Sequence, residues 1–84
     1  MVSFCYVKKK AKRSYYKDVE ALKQVGDKIR EIRTRKEISQ ETLANDCEID
    51  YSQLNRMELG KVNFSFSYFL KIAKALQVDP KELL

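Results

Sequence analysis

The sequence predicts an all-α domain of five helices preceded by a basic arm, and three observations carry that prediction. From about residue 18 onward, apolar residues recur at three- and four-residue spacing, the period of a helix that buries one face. Ser39, Asp50 and Asp79 stand where helices need capping oxygens, and Gly60 stands where one needs to end. No strand pattern occurs outside an extended piece at residues 2–7. The 84 residues suffice for one domain with one modest core, assigned to residues 18–84, while residues 1–17 form an arm expected to be flexible.

The first helix is carried by Leu22, Val25, Ile29, Ile32 and Lys36, with Ser14 or Asp18 as its cap. Gly26 within it costs about 1 kcal/mol relative to alanine, tolerable if a second helix packs closely there. Ser39 caps the second helix, Glu41 suits the positive end of its dipole, and Leu43, Ala44 and Cys47 share its buried face. The third starts at Asp50, which with Gln53 has the spacing of a capping box, and ends at a left-handed Gly60. Ser65 or Ser67 caps the fourth, whose apolar stripe reads Phe66, Phe69, Leu70, Ala73 and Leu76. Asp79, Pro80 and Glu82 make a start signal for a fifth helix bearing Leu83 and Leu84.

Chemistry-bearing residues are few. The chain has no histidine, which removes the commonest metal ligand and general base. Its only thiols, Cys5 and Cys47, are too far apart for a zinc spacing; Cys47 reads as core and Cys5 as an idle thiol. Gly26 and Gly60 are the only glycines, too few for a phosphate-cradling loop. Neither an enzyme nor a metal nor any other cofactor is expected. No apolar run approaches the roughly 20 residues that span a bilayer, and the amino-terminal charges follow the short apolar stretch instead of preceding it as in a signal peptide. A cytoplasmic protein is expected.

Charge is distributed unevenly. Residues 1–17 hold six bases and no acid, whereas residues 18–84 hold eleven bases and twelve acids. The basic character therefore belongs to the arm, which either attracts phosphate without sequence preference or serves as a solvated tail.

Two short helices joined by about three residues, the second with a polar outward face, form a helix-turn-helix arrangement. With Leu54 at the centre of the inward face of the third helix, Met57 and Glu58 lie beside it. Ser52 and Arg56 then point outward, with Gln53 and Asn55 on the flanks and Tyr51 at the rim. Such groups read base edges: arginine suits guanine O6 and N7, while asparagine or glutamine suits adenine N6 and N7. An ordinary solvated surface has the same composition, so the pattern alone leaves both readings open.

A resemblance adds to the pattern. Ile29-Arg30-Glu31-Ile32-Arg33, Ile38-Ser39-Gln40-Glu41-Thr42-Leu43-Ala44, Leu54-Asn55-Arg56-Met57-Glu58-Leu59-Gly60-Lys61 and Leu70-Lys71-Ile72-Ala73-Lys74-Ala75-Leu76 resemble the XRE family of Cro and phage-repressor-like DNA-binding domains. The order and spacing agree over roughly residues 24–84. The resemblance implies a lambda-repressor-like fold with the third helix as recognition helix and Tyr51, Ser52 and Arg56 at base-facing positions, Asn55 being a weaker candidate. It implies phosphate contacts at Gln40, which also braces the recognition helix, and at Lys61 and Asn63. Arg33 and Glu58 correspond to a partly buried ion pair. The sequence departs from the family at Glu37 and Glu48, where glycine is frequent, and at Phe64, where proline is common.

The expected function is a sequence-specific double-stranded DNA-binding transcriptional regulator, a repressor acting from an operator. One module of this size buries little DNA surface, so a homodimer on paired half-sites is expected. Phe64, Tyr68 and Leu84 are candidates for its interface, unless they pack within the monomer. Two alternatives remain: an antitoxin-type protein that binds a toxin-like partner and controls its own gene, and nonspecific binding of nucleic acid through the arm.

Overall fold

The computed structural model describes residues 17–84. The arm through residue 16, the extended piece at 2–7, Ser14 and Cys5 lie outside the described residues. Helix α1 spans Val19–Arg35, α2 Gln40–Cys47, α3 Tyr51–Glu58 and α4 Phe66–Leu76, and a 3-10 helix comes last at Pro80–Leu83. Helix α1 packs on α3, α2 packs on both α3 and α4, and the 3-10 helix closes over α1 and α4. No helix among the described residues is long and apolar enough to cross a membrane.

Three caps work as the side-chain chemistry requires. Asp18 begins α1 by accepting from the amide of Ala21 at 3.0 Å, and Ser39 begins α2 by accepting from that of Thr42 at 3.0 Å. Ser65, not Ser67, begins α4, accepting from the amide of Tyr68 at 3.2 Å. Asp79 and Pro80 do start an element, but it is a four-residue 3-10 helix and not a fifth α-helix. Its bonds run from Glu82 to Asp79 at 2.8 Å and from Leu84 to Lys81 at 3.2 Å. So short a segment cannot close enough i→i−4 bonds to offset an α-helical nucleus, and the tighter winding still seats Leu83 fully in the core.

The core is Ile29 and Ile32 of α1, Leu43, Ala44 and Cys47 of α2, Leu54 and Met57 of α3, Ile72, Ala73 and Leu76 of α4, and Leu83. Burial pushes the Cys47 thiol pKa up, as suits a neutral packing group. The α4 face differs from the expected stripe. Ile72 is fully buried, whereas Phe66 is 71% and Leu70 38% exposed. Helix α4 carries apolar residues on two adjacent faces, and the positions of α2 and the 3-10 helix decide which one becomes interior.

Four turns close in one pattern. Glu37, Glu48, Gly60 and Gln77 each adopt a left-handed backbone, with φ of 59°, 58°, 73° and 60°. In each, the left-handed residue's amide bonds a carbonyl three back, and the next amide bonds one five back; Ile38 to Arg33 at 2.9 Å and Val78 to Ala73 at 3.0 Å are examples. A non-glycine residue in this region costs roughly 1–2 kcal/mol. Burial of the next residue offsets part of that cost, since Ile38, Ile49 and Val78 all pack against the core. Glu37 and Glu48 are the positions where the family favours glycine, whereas no sequence signal singles out Gln77.

Both glycines are required by space. A Cβ on Gly26 would lie 2.6 Å from the carbonyl oxygen of Met57, so the α1 and α3 backbones touch there. One on Gly60 would lie 2.8 Å from the Cα of Lys23. Gly26→Ala is expected to lower stability by about 1–3 kcal/mol in urea unfolding, although alanine is the better helix former by about 1 kcal/mol. A variant of equal or higher stability would show that the two backbones are not in contact.

Candidate nucleic-acid interface

Helix α3 has eight residues, too few to persist alone in water, so its orientation comes from its neighbours. Its inward side is pinned by an ion pair: Arg33 Nε donates to Glu58 Oε2 at 2.8 Å and a second guanidinium nitrogen donates to Glu58 Oε1 at 3.1 Å. The guanidinium also donates to the Ile38 carbonyl at 2.9 Å, joining α1, the turn before α2 and α3. Both side chains are almost wholly out of solvent, where a two-pronged pair is directional as well as strong.

Gln40, at the start of α2, completes the brace. Its Nε2 donates to Glu58 Oε1 at 2.9 Å and to Asn55 Oδ1 at 3.2 Å. Because a carboxylate can only accept, the nitrogen must face Glu58, and this fixes the amide's orientation. Both amide protons are thereby used within the protein.

The expected base-facing residues fall on one surface of α3. Tyr51, Ser52 and Arg56 are exposed, and Asn55 is half-buried because Gln40 holds it. Arg56 makes no side-chain hydrogen bond or ion pair with the described residues. The helix start differs from expectation: Asp50 makes no side-chain cap, so the Asp50–Gln53 capping box is absent. Its carboxylate instead accepts from Ser52 Oγ at 3.0 Å. A hydroxyl two residues on is a nearby competitor for the same oxygens.

Lys61 and Asn63 are exposed in the loop that leaves α3. The structure adds two cations that periodicity does not single out. Lys17 Nζ donates to the Lys61 carbonyl at 2.8 Å, placing the base of the arm beside this loop. Arg30, exposed on α1, lines a polar cleft of about 310 Å³ with Arg33, Gln40, Asn55, Glu58 and Leu59. Its three-residue spacing from Arg33 is the signal that the sequence offers. Among the described residues, no group of histidine, cysteine or carboxylate side chains could hold a metal ion.

A separate apolar groove of about 370 Å³ is lined by Leu22, Val25, Phe64, Phe66, Phe69 and Leu84, among others. Phe64 and Tyr68 pack partly against the core, whereas Leu84 is 78% exposed. Phe66 stacks on Phe69 with centroids 5.9 Å apart.

A sequence model described as helix-turn-helix matches residues 29–83. The chain is 43% identical over 60 residues to control protein C.BamHI of Bacillus amyloliquefaciens, spanning 70% of this chain and 74% of that protein. It is similar in structure to the restriction-modification controller protein C.AhdI from Aeromonas hydrophila, with a TM-score of 0.75 and 42% identity over 77% of this chain and 98% of that one. It is also similar to the restriction-modification controller protein C.Esp1396I, with a TM-score of 0.69 and 27% identity over 75% of this chain and 81% of that one. C.Esp1396I is known in addition as a nucleoprotein complex.

The brace makes a stability prediction. Glu58→Ala leaves the Arg33 guanidinium buried without its carboxylate and is expected to cost about 3–5 kcal/mol in urea unfolding. A loss below about 1 kcal/mol, the range of an exposed pair, would mean that the pair is solvated in solution.

Proposed function

Given that the chain belongs to the helix-turn-helix family of XRE type, whose relatives here are transcriptional controllers and not enzymes, we propose that it is a sequence-specific double-stranded DNA-binding regulator of the restriction-modification controller kind. It binds an operator as a homodimer and acts as a repressor. The observation that carries this reading is the contrast between the two sides of α3: one locked by Arg33, Glu58 and Gln40, the other exposing hydrogen-bonding side chains. A rigidly held helix with a polar face is what a major groove accepts.

In this reading α3 enters the groove with Arg56 and Ser52 on base edges, Tyr51 and Asn55 beside them, and Lys61 and Asn63 on the phosphates. Gln40 contributes differently from a side-chain clamp. Its amide protons are spoken for, so its phosphate contact is made by the unpaired main-chain N–H groups of the first turn of α2, with Arg30 alongside. The second copy covers the apolar groove, where exposed Phe66 and Leu84 meet a face continuous with the loop at Asn63. The named relatives are control proteins, so nothing favours the toxin-partner alternative.

Fluorescence anisotropy with the chain's own upstream DNA and a scrambled duplex, across a salt series, tests this. Arg56→Ala is expected to remove about 1–3 kcal/mol of the preference for the native duplex while changing scrambled-duplex binding little. Equal binding of both duplexes, with Arg56→Ala without effect, would end the groove-reading proposal. Sedimentation is expected to show a dimer that Phe66→Glu converts to monomer; an unaltered dimer would place the interface elsewhere.

A further inference from the structure

The hydrogen bonds around α3 determine which groups on its outer surface are left to give a proton and which to take one. The Asp50 carboxylate has no proton to donate, so the 3.0 Å contact with Ser52 fixes the serine hydroxyl hydrogen toward Asp50. What Ser52 presents outward is lone pairs, and the second Asp50 oxygen adds more. Asn55 is fixed the opposite way. Its Oδ1 is taken by Gln40 Nε2 at 3.2 Å, which leaves its NH₂ as the outward group. Arg56 can only donate. The outer side of α3 and the residue before it thus carry acceptors at residues 50 and 52 and donors at residues 55 and 56.

The acceptor end cannot serve a phosphate, which also only accepts. On a base edge in the major groove its sole hydrogen-bond partner is an exocyclic amino group, N6 of adenine or N4 of cytosine. We propose that Asp50 is a specificity-determining residue: by holding the proton of Ser52 it presents an acceptor-only pair that selects a base bearing an exocyclic amine at one position of each half-site. The inference rests on α3 being the groove-reading helix. It also explains why a carboxylate is exposed at the edge of a surface that faces DNA. There it lowers affinity for every sequence and restores it only where an amine is offered.

The test begins with a half-site selected by the full-length protein from a randomised duplex pool. Each adenine of that site is replaced in turn by purine and each cytosine by 2-pyrimidinone, changes that delete the amine together with its Watson–Crick bond, a pairing loss that wild type and variants meet alike. For the wild-type protein, one such replacement is expected to weaken binding about tenfold, and its identity tells adenine from cytosine. Asp50→Ala and Ser52→Ala are each expected to shrink that effect to within about twofold. Asp50→Ala should also bind a scrambled duplex more tightly. The carboxylate makes no cap bond, so this variant is expected to fold, with helical content checked by circular dichroism. The proposal is overturned if Asp50→Ala keeps the full amine effect, or if no amine deletion weakens the wild type while Arg56→Ala still abolishes selectivity. If the pool yields no preferred sequence, the groove-reading function itself has failed and this inference with it.

Discussion

The Glu58 carboxylate is the point on which the architecture turns. It accepts from Arg33 on α1 and from Gln40 on α2 while standing on α3, so three helices meet at two oxygen atoms. An ion pair out of solvent is not an efficient source of stability, since desolvation offsets much of its attraction. Its value here is angular. An apolar contact at the same place would tolerate rotation of α3 about its axis, whereas a two-pronged guanidinium–carboxylate contact does not. Directly beneath it, the touching backbones at Gly26 remove freedom to slide. A short helix without intrinsic stability is thereby held against rotation and sliding, and its outer side chains leave from a fixed backbone.

Much of this is legible in the sequence because local chemistry decides it. Ser39 begins α2, Gly60 ends α3, and Gly26 marks a close crossing; each is a residue type with few alternatives at its position. The exposure of Ser52 and Arg56 comes from helical arc alone once Leu54 is placed inward. What is not legible depends on partners distant in sequence. Helix α4 offers two apolar faces, and nothing within residues 66–76 says that Ile72 instead of Phe66 or Leu70 faces the core. The absent capping box is a competition of the same kind, since spacing proposes Gln53 as the partner of Asp50 and proximity awards it to Ser52. The roles of the Gln40 and Asn55 amides are beyond reach for a further reason: which atom of an amide faces outward is set by what the other atom bonds. The arm is the part on which the described residues bear least, through Lys17 alone.

The recurring left-handed turn shows how a small domain carries local strain. Three of four such positions hold Glu37, Glu48 and Gln77, each in a conformation that favours glycine. Each precedes an apolar residue on the core, so burial and two turn hydrogen bonds act together against the strain. The fourth precedes exposed Lys61 and lacks that compensation, and there glycine is retained. Backbone crowding against Lys23 gives a second, independent reason for it. The left-handed turn geometry is thus kept at Glu37 and Glu48, where the residue departs from the family's glycine pattern.

The charge layout bears on how such a domain would find a site. Residues 18–84 are close to neutral, so the body carries little of the generalised attraction that basic proteins have for phosphate. Attraction would then come from placed groups: Lys17, held beside the Lys61 loop, Lys61 itself, and the exposed cations Arg30 and Arg56. Separating the two tasks has a physical advantage. A contact to phosphate is nearly independent of sequence, and a body covered with such contacts would raise affinity for all DNA and dilute the discrimination of the helix between its walls. With a body close to neutral and a carboxylate at the start of α3, selectivity would be left to the few side chains of the helix that the Glu58 junction orients.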